Sequence, residues 1–134
     1  MIHLDTTLLI DLLREQARQE EGPATHFLRS CLDEEISVSV HVLCELYTGA
    51  ELSRRPEEER QSIRHLCSSI RTSSPDEAFP TLYGRILAWQ TRNGQKVATM
   101  DLLIATAALV ERAALVTRNT KDFSRVPGLT VLTY

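Results

Sequence analysis

The sequence lacks the features that place a chain in a membrane, in a fibre or outside the cell. No run of eighteen apolar residues occurs in its 134 residues, which argues against a membrane-spanning helix. Aromatic residues make up only 5%, and no repeat or low-complexity segment divides the chain. The start, MIHLDTTLLIDLLREQ, has neither a basic region nor a small-residue cleavage site, so we expect no signal peptide.

Cysteine and histidine are scarce and are not spaced as metal ligands. The three cysteines, Cys31, Cys44 and Cys67, form no CxxC pair, which is typical of reduced thiols and predicts a cytoplasmic protein. The four histidines show no HxxxH or HExxH spacing, which argues against a zinc site.

The charge balance is mildly acidic. Fifteen Lys and Arg residues stand against eighteen Asp and Glu residues, for a net charge of −3. This excludes a strongly basic protein that binds nucleic acid by charge alone, but not a nucleic acid bridged by metal ions. The length predicts a single domain over 1–134 that buries a core without disulfides or a structural metal.

Apolar patterns alternate between strand and helix along the chain. Strands are predicted at 2–5, 36–40, 70–73, 114–117 and 129–132. Helices are predicted at 6–20 with Thr6 or Thr7 as N-cap, at 23–32, 41–53, 56–69 and 76–92, and at 100–112 with Thr99 as N-cap. This alternation predicts an α/β three-layer sandwich with a mainly parallel sheet.

Four acidic residues fall at strand ends, near helix starts or in the loop after a strand. Asp5 ends the first strand, and Glu45 lies one turn into the helix that follows the second. Asp101 lies in the first turn of its helix, and Asp122 lies in the loop after the strand 114–117. Ligands of open parallel sheets bind outside the carboxyl ends of the strands, so we expect these acids at one edge.

Each of these acids also has an ordinary structural explanation. Asp5 and Asp101 suit the positive ends of helices, and Asp122 suits a loop. Glu45 lies far from the apolar face of its helix and is also explained as a solvated residue. Beside Asp101, a helical stripe of small residues that includes Ala105 and Ala108 leaves room for a ligand, which favours a site.

Other charged residues have less specific interpretations. Asp11 lies opposite the leucine face of its helix, so a solvated ion pair with Arg14 explains it and we place it outside the site. The basic residues near the acids suit either phosphate contacts or a solvated surface. They are Arg85, Arg92, Lys96, Arg118 and Lys121.

Converging carboxylates without basic partners do not all stay ionised unless cations neutralise them. Oxygen ligands alone favour Mg²⁺ or Mn²⁺. These ions suit in-line displacement at phosphorus by a metal-activated water, and no side chain here is an obvious general base. The acids therefore predict metal-dependent phosphoryl chemistry.

Four segments, in this order and spacing, resemble a PIN domain, and in particular the VapC-like toxins of bacterial type II toxin–antitoxin modules. They cover essentially the whole chain: IHLDTTLLIDLL at 2–13, ELYTGA at 45–50, DLLIATAA at 101–108 and TRNTKDF at 117–123. The opening reads Asp5-Thr6-Thr7, where the family usually has Asn or Ser at the third position.

The resemblance implies a Mg²⁺-dependent endoribonuclease. In this sequence the family's metal-binding positions are Asp5, Glu45, Asp101 and Asp122, with Thr7, Thr117 and Asn119 as supporting polar residues. Asn119 is expected to add a polar ligand or to hold a metal-bound water. The family also implies a homodimer, an RNA substrate, and a small antitoxin whose tail lies over the active-site groove.

Three alternatives remain at the level of sequence. A DNA-directed nuclease is one, because no residue type here reads a 2′-hydroxyl. A non-catalytic, partner-binding PIN-like module is the second, although the four acids argue against it. A phosphatase of the haloacid dehalogenase type needs a second aspartate at position 7, where this chain has Thr7.

Overall fold

A computed structural model describes all 134 residues and contains one five-stranded sheet. Its strands are β1 (Ile2–Leu4), β2 (Ile36–Ser39), β3 (Arg71–Ser73), β4 (Ala114–Val116) and β5 (Val131–Leu132). They lie in the order β3-β2-β1-β4-β5, and every neighbouring pair is parallel. The predicted parallel sheet is confirmed.

Seven helices connect these strands. They are α1 (Thr6–Arg18), α2 (Pro23–Ser30), α3 (Val40–Glu51), α4 (Pro56–Cys67), α5 (Ala78–Asn93), α6 (Thr99–Val110) and α7 (Thr120–Phe123). Six of them match predicted helices, and α7 is additional. No helix combines the length and the apolarity that crossing a bilayer requires.

The strand order determines which helices share a layer. The chain steps from β1 to β2 to β3 in one direction and then returns past them to β4. Right-handed crossovers therefore place α1 to α4 on one face of the sheet and α5 and α6 on the other, as predicted for a three-layer sandwich. The order reverses between β1 and β4, and such a reversal is where ligands bind in sheets of this kind.

The core holds 21 buried apolar residues from both layers and the sheet. Leu4, Val38 and Leu115 come from neighbouring strands, and Leu8 and Phe123 come from α1 and α7. All five are fully buried, so the two elements that flank the end of β4 are held in place by packing.

The start of α1 differs from its prediction. Asp5, rather than Thr6 or Thr7, is the N-cap residue, and its side chain makes no capping hydrogen bond. The Asp5 carboxylate instead accepts hydrogen bonds from the Thr117 and Thr7 hydroxyls, as described below. Similarly, Ala98 rather than Thr99 precedes the first turn of α6.

Two further local predictions need correction. Asp122 lies in the single-turn helix α7 rather than in a loop, with the Phe123 N–H donating to the Asn119 carbonyl at 3.3 Å. Ala105 and Ala108 are fully buried, so the stripe of small residues packs in the core and leaves no open space. Asp101, in the first turn of α6, is by contrast only half-buried.

Replacing glycine by alanine is expected to have opposite effects at Gly84, inside α5, and at Gly94, directly after it. Gly84 lies inside the helix with nothing within 4 Å of an added Cβ, so Gly84→Ala should stabilise the protein by about 0.5–1 kcal/mol. Gly94 ends the helix at φ +62°, so Gly94→Ala should destabilise it by about 1 kcal/mol. Urea unfolding of both variants tests this, and equal shifts of the same sign would contradict it.

Candidate metal centre

Asp5 lies at the junction of β1 and α1 with only 4% of its surface exposed. Two hydroxyl groups donate to the same carboxylate oxygen, Oδ2, from Thr117 at 2.6 Å and from Thr7 at 3.3 Å. The other oxygen, Oδ1, accepts no side-chain hydrogen bond. Burial raises the pKa of Asp5, and the hydrogen bond from Thr117 opposes that rise.

The segment after β4 is bonded to the β1–α1 junction. Thr117 is fully buried, and its hydroxyl also accepts the Asn119 backbone N–H at 2.9 Å. The Arg118 N–H donates to Thr7 Oγ1 at 3.1 Å. Asn119 contributes its backbone to these contacts, and its side chain caps no helix. The two threonines therefore orient Asp5 and position the start of α7.

Glu45 reaches the same region from the middle of α3. The Thr6 hydroxyl donates to Glu45 Oε1 at 2.7 Å, and the side chain is half-buried rather than fully solvated. Because Thr6 follows Asp5 in the chain, this hydrogen bond holds Glu45 next to the first acid. The sequence suggested only a capping role for Thr6, since the bond depends on how α1 packs against α3.

Asp101 lies within electrostatic range of the other three predicted acids. Asp101 is half-buried in the first turn of α6. Burial raises the pKa of Asp101 to about 6, and the negative charges of Asp5, Glu45 and Asp122 add to the rise. The structure thus brings Asp5, Glu45 and Asp122 near Asp101, and we call these four residues the acidic centre.

No basic side chain neutralises this centre. None of the ion pairs in the structure includes any of its four carboxylates. A set of uncompensated, partly buried carboxylates is unfavourable when all are ionised, so the site favours a bound cation.

The donor set suits a hard divalent cation. All four residues offer carboxylate oxygens, and no histidine or cysteine takes part, which is the preference of Mg²⁺ and Mn²⁺. No three side chains of this kind are grouped tightly enough to enclose a bare ion. Because Mg²⁺ keeps several of its waters and binds one or two carboxylates directly, an open acidic centre fits a hydrated ion.

Comparison with known proteins agrees with this arrangement. The model of the PIN domain family matches residues 2–129. The chain belongs to the PIN domain family. It is 34% identical over 127 residues to the tRNA(fMet)-specific endonuclease VapC of Shigella flexneri, covering 94% of this chain and 92% of that protein.

Solved structures of relatives confirm the fold of this PIN domain. VapBC2 from Rickettsia felis, solved with a DNA fragment from its promoter, matches with a TM-score of 0.90 and 26% identity, over 100% of this chain and 99% of that one. DNA-bound VapBC from Salmonella typhimurium matches with a TM-score of 0.86 and 26% identity, over 98% and 96%.

Asp11 of this PIN domain is buried, so its interpretation as a solvated residue is wrong. Arg14 does lie 3.8 Å away, but Arg118 makes the closer ion pair, and the Tyr134 hydroxyl donates to Asp11 Oδ2 at 2.6 Å. Burial, and then this hydrogen bond, raise the pKa of Tyr134 to about 12. Arg118 is therefore already paired with Asp11. Thr7 and Asp11 are four residues apart, which places them on one side of α1, and this spacing was the sequence signal that Asp11 faces the protein.

Proposed function

We propose that this PIN domain is a metal-dependent endoribonuclease that uses Mg²⁺ to hydrolyse RNA phosphodiesters. The observation that carries the proposal is the set of four uncompensated carboxylates at the reversal of the strand order. Such a centre repels an anionic RNA unless a cation lies between them. The names of the VapC relatives, as ribonucleases and a tRNA-specific endonuclease, support RNA as the substrate.

Each residue of the centre has a proposed role. Asp5 and Asp101 would hold the ion, because one oxygen of Asp5 accepts no side-chain hydrogen bond and the other three acids raise the pKa of Asp101. Glu45 and Asp122 would support its hydration. The Thr117 and Thr7 hydroxyls keep Asp5 in one orientation, and Asn119 lies beside them for a polar contact.

The proposed chemistry is hydrolysis with a positioned water. When bound, Mg²⁺ supplies an activated water for in-line attack on the phosphorus. The carboxylates of this chain would hold the ion. The bound cation would then reduce the repulsion between these acids and the RNA. A location in the cytoplasm and a homodimeric assembly stay predictions.

The test is cleavage by the purified chain without a partner. We expect total RNA and RNA oligonucleotides to be cut with Mg²⁺ or Mn²⁺ but not with EDTA, and matched DNA to stay intact. Asp5→Asn should lose cleavage, whereas Asp33→Asn, at an exposed acid outside the centre, should keep it. Cleavage that survives EDTA or Asp5→Asn would contradict the proposal, and cleavage of DNA alone would favour a DNA nuclease.

We infer further that the chain is the toxin of a two-component module and that an antitoxin covers the centre. An apolar groove of about 260 Å³ lies between α1, α3 and α4, and Glu45 is part of its lining. Ile10, Leu13, Leu46 and Ile63 contribute apolar walls. A peptide bound there reaches the acids directly. The VapBC complexes among the solved relatives support a partner of this kind.

The groove gives a prediction about inhibition. Ala17 is exposed on the groove wall, so Ala17→Arg should block inhibition by the cognate antitoxin while the free chain keeps its cleavage. Gln16→Arg adds the same charge at an exposed neighbour outside the groove and should leave inhibition intact. Titrating antitoxin into the cleavage assay measures both, and equal inhibition of the two variants would reject this groove as the binding surface.

A further inference from the structure

The segment 78–100, which holds α5 and the link to α6, differs in charge from the rest of the chain. It contains three basic residues, Arg85, Arg92 and Lys96, and no Asp or Glu. Its charge is therefore +3 in a protein of net charge −3, so the remaining residues together carry −6. Such separation of charge is a local electrostatic feature that the overall composition hides.

Two of these basic residues, Arg85 and Arg92, share one helix face with the chain's single tryptophan. Arg85, Trp89 and Arg92 follow each other at spacings of four and three in α5, which places them in one row along the helix. Trp89 is 43% exposed, although a tryptophan normally buries its ring. Lys96 lies just beyond the helix and is exposed. We call these four residues the α5 basic row.

The cations of the α5 basic row are free of partners. Arg85, Arg92 and Lys96 form no ion pair and no side-chain hydrogen bond, in contrast to Arg118, which is paired with Asp11. The ring of Trp89 forms no aromatic pair, although its backbone carbonyl accepts a hydrogen bond from Asn93 at 2.7 Å. The row thus presents alternating positive charge and an aromatic surface to solvent.

The α5 basic row leads toward the acidic centre. The helices α5 and α6 pack against each other and are joined by the short link 94–98. The C-terminal end of α5 therefore lies next to the N-terminal end of α6, where Asp101 is located. Arg85 and Arg92 are separated by about 10 Å along the helix axis, a rise of seven residues.

We propose that the α5 basic row binds single-stranded RNA next to the phosphodiester that is cut. Arg85, Arg92 and Lys96 contact backbone phosphates, and Trp89 stacks on a base. Interleaved basic and aromatic side chains are the common way to hold a single strand without reading its sequence. The proposal rests on the proposed ribonuclease function and assigns where its substrate runs.

A second copy of this chain is the competing occupant of the row. In a two-fold symmetric dimer formed through this face, the segment 78–100, with its charge of +3, would lie against the same segment of the second copy. Like charges at an interface without counterions oppose association. RNA supplies the opposite charge along its whole length, so charge complementarity favours the nucleic acid.

The experiment uses the intrinsic fluorescence of Trp89, which reports on one position because the chain has no other tryptophan. The full chain is titrated with a single-stranded RNA of about twelve nucleotides in EDTA, with anisotropy of labelled RNA as a second readout. We expect quenching of the fluorescence that parallels the anisotropy and weakens with salt.

Substitutions then separate the row from the rest of the surface. Arg85→Gln with Arg92→Gln should weaken binding about 10- to 25-fold at 0.1 M salt and reduce the salt slope by about 1.4. The matched control, Arg54→Gln with Arg64→Gln, changes the same charge at exposed, unpaired arginines near and on α4 and should bind as wild type. Trp89→Ala should weaken binding at least about fivefold, and Trp89→Phe should restore most of it.

Several results would overturn the proposal. Binding without fluorescence change, or equal losses in the two double variants, would place the RNA elsewhere. Sedimentation in which wild type is a dimer and Trp89→Ala is a monomer would assign the row to a second copy. Metal-dependent cleavage by wild-type protein is measured in parallel, so that failure of the row is distinguished from failure of the ribonuclease function.

Discussion

Asp101→Asn is expected to abolish cleavage and at the same time to stabilise the metal-free protein. The loss of activity should be about 1,000-fold or more, because a ligand that contributes several kcal/mol of charge stabilisation disappears. The gain in stability follows from the same carboxylate. Burial, and then repulsion by Asp5, Glu45 and Asp122, disfavour its charge when no cation is bound.

The stabilisation depends on pH in a defined direction. The pKa of Asp101 rises from 3.8 to about 6, so the folded protein holds this proton more tightly than the unfolded chain does. The free energy of unfolding of wild type therefore falls as pH rises from about 4 to about 7. Asparagine does not titrate, so the free energy of unfolding of Asp101→Asn should equal that of wild type near pH 4. At pH 7.5 it should be higher by about 1–2 kcal/mol, after allowance for solvent screening.

Urea unfolding in EDTA at both pH values measures this difference. Asp33→Asn, at an exposed acid without partners, is the control and should track wild type at each pH. Adding Mg²⁺ should raise the unfolding free energy of wild type more than that of Asp101→Asn. An ion that binds the folded state stabilises it, and the variant lacks one of the carboxylates that bind the ion. A variant less stable than wild type at pH 7.5 would refute the repulsion between the acids.

Thr117→Val is expected to weaken both the fold and metal binding. The substitution keeps the shape of a fully buried side chain but removes the donor to Asp5 and the acceptor of the Asn119 N–H. Losing a hydrogen bond to a charged group costs about 1.5–3 kcal/mol of stability. Metal affinity should fall about 10- to 100-fold, the usual effect of removing a residue that orients a ligand.

A second buried threonine provides a matched control. Thr106 is fully buried in α6, and its hydroxyl donates only to the Leu102 carbonyl within the same helix at 2.6 Å. Thr106→Val should therefore change stability much less and leave metal affinity unchanged. Urea unfolding and calorimetric titration with Mg²⁺ compare the two variants. Equal metal affinity in both would show that Thr117 does not orient Asp5.

Residues that follow a strand closely could be predicted from sequence. Asp5 comes directly after β1, so the rule for parallel sheets places it at the carboxyl edge. Asp101 follows no strand directly, but it lies in the first turn of α6, which runs back to the start of β4, so the same edge is expected for it. The strands themselves follow from short apolar runs between turn signals. The parallel sheet and its layers follow from the alternation of these elements with helices.

Contacts between helices were not available from local patterns. The bond from Thr6 to Glu45 depends on the packing of α1 against α3, and the helical wheel alone left Glu45 on the solvated side. Asp11 looked solvated for the same reason, because Arg118 and Tyr134, which bury it, are more than 100 residues away in sequence. Periodicity describes one helix, whereas burial depends on what the rest of the chain brings against it.

The pairing of β1 with β4 has a consequence during protein synthesis. The hydrogen bond between Asp5 and Thr117 joins residues 112 positions apart, and Asp122 follows later still. Translation proceeds from the N-terminus, and contacts of such long sequence separation form slowly. The acidic centre is therefore incomplete throughout most of translation, and a ribosome-bound chain holds no assembled nuclease. If the proposed function holds, the ribosome that makes this protein is exposed to its activity only after nearly all of the chain has emerged.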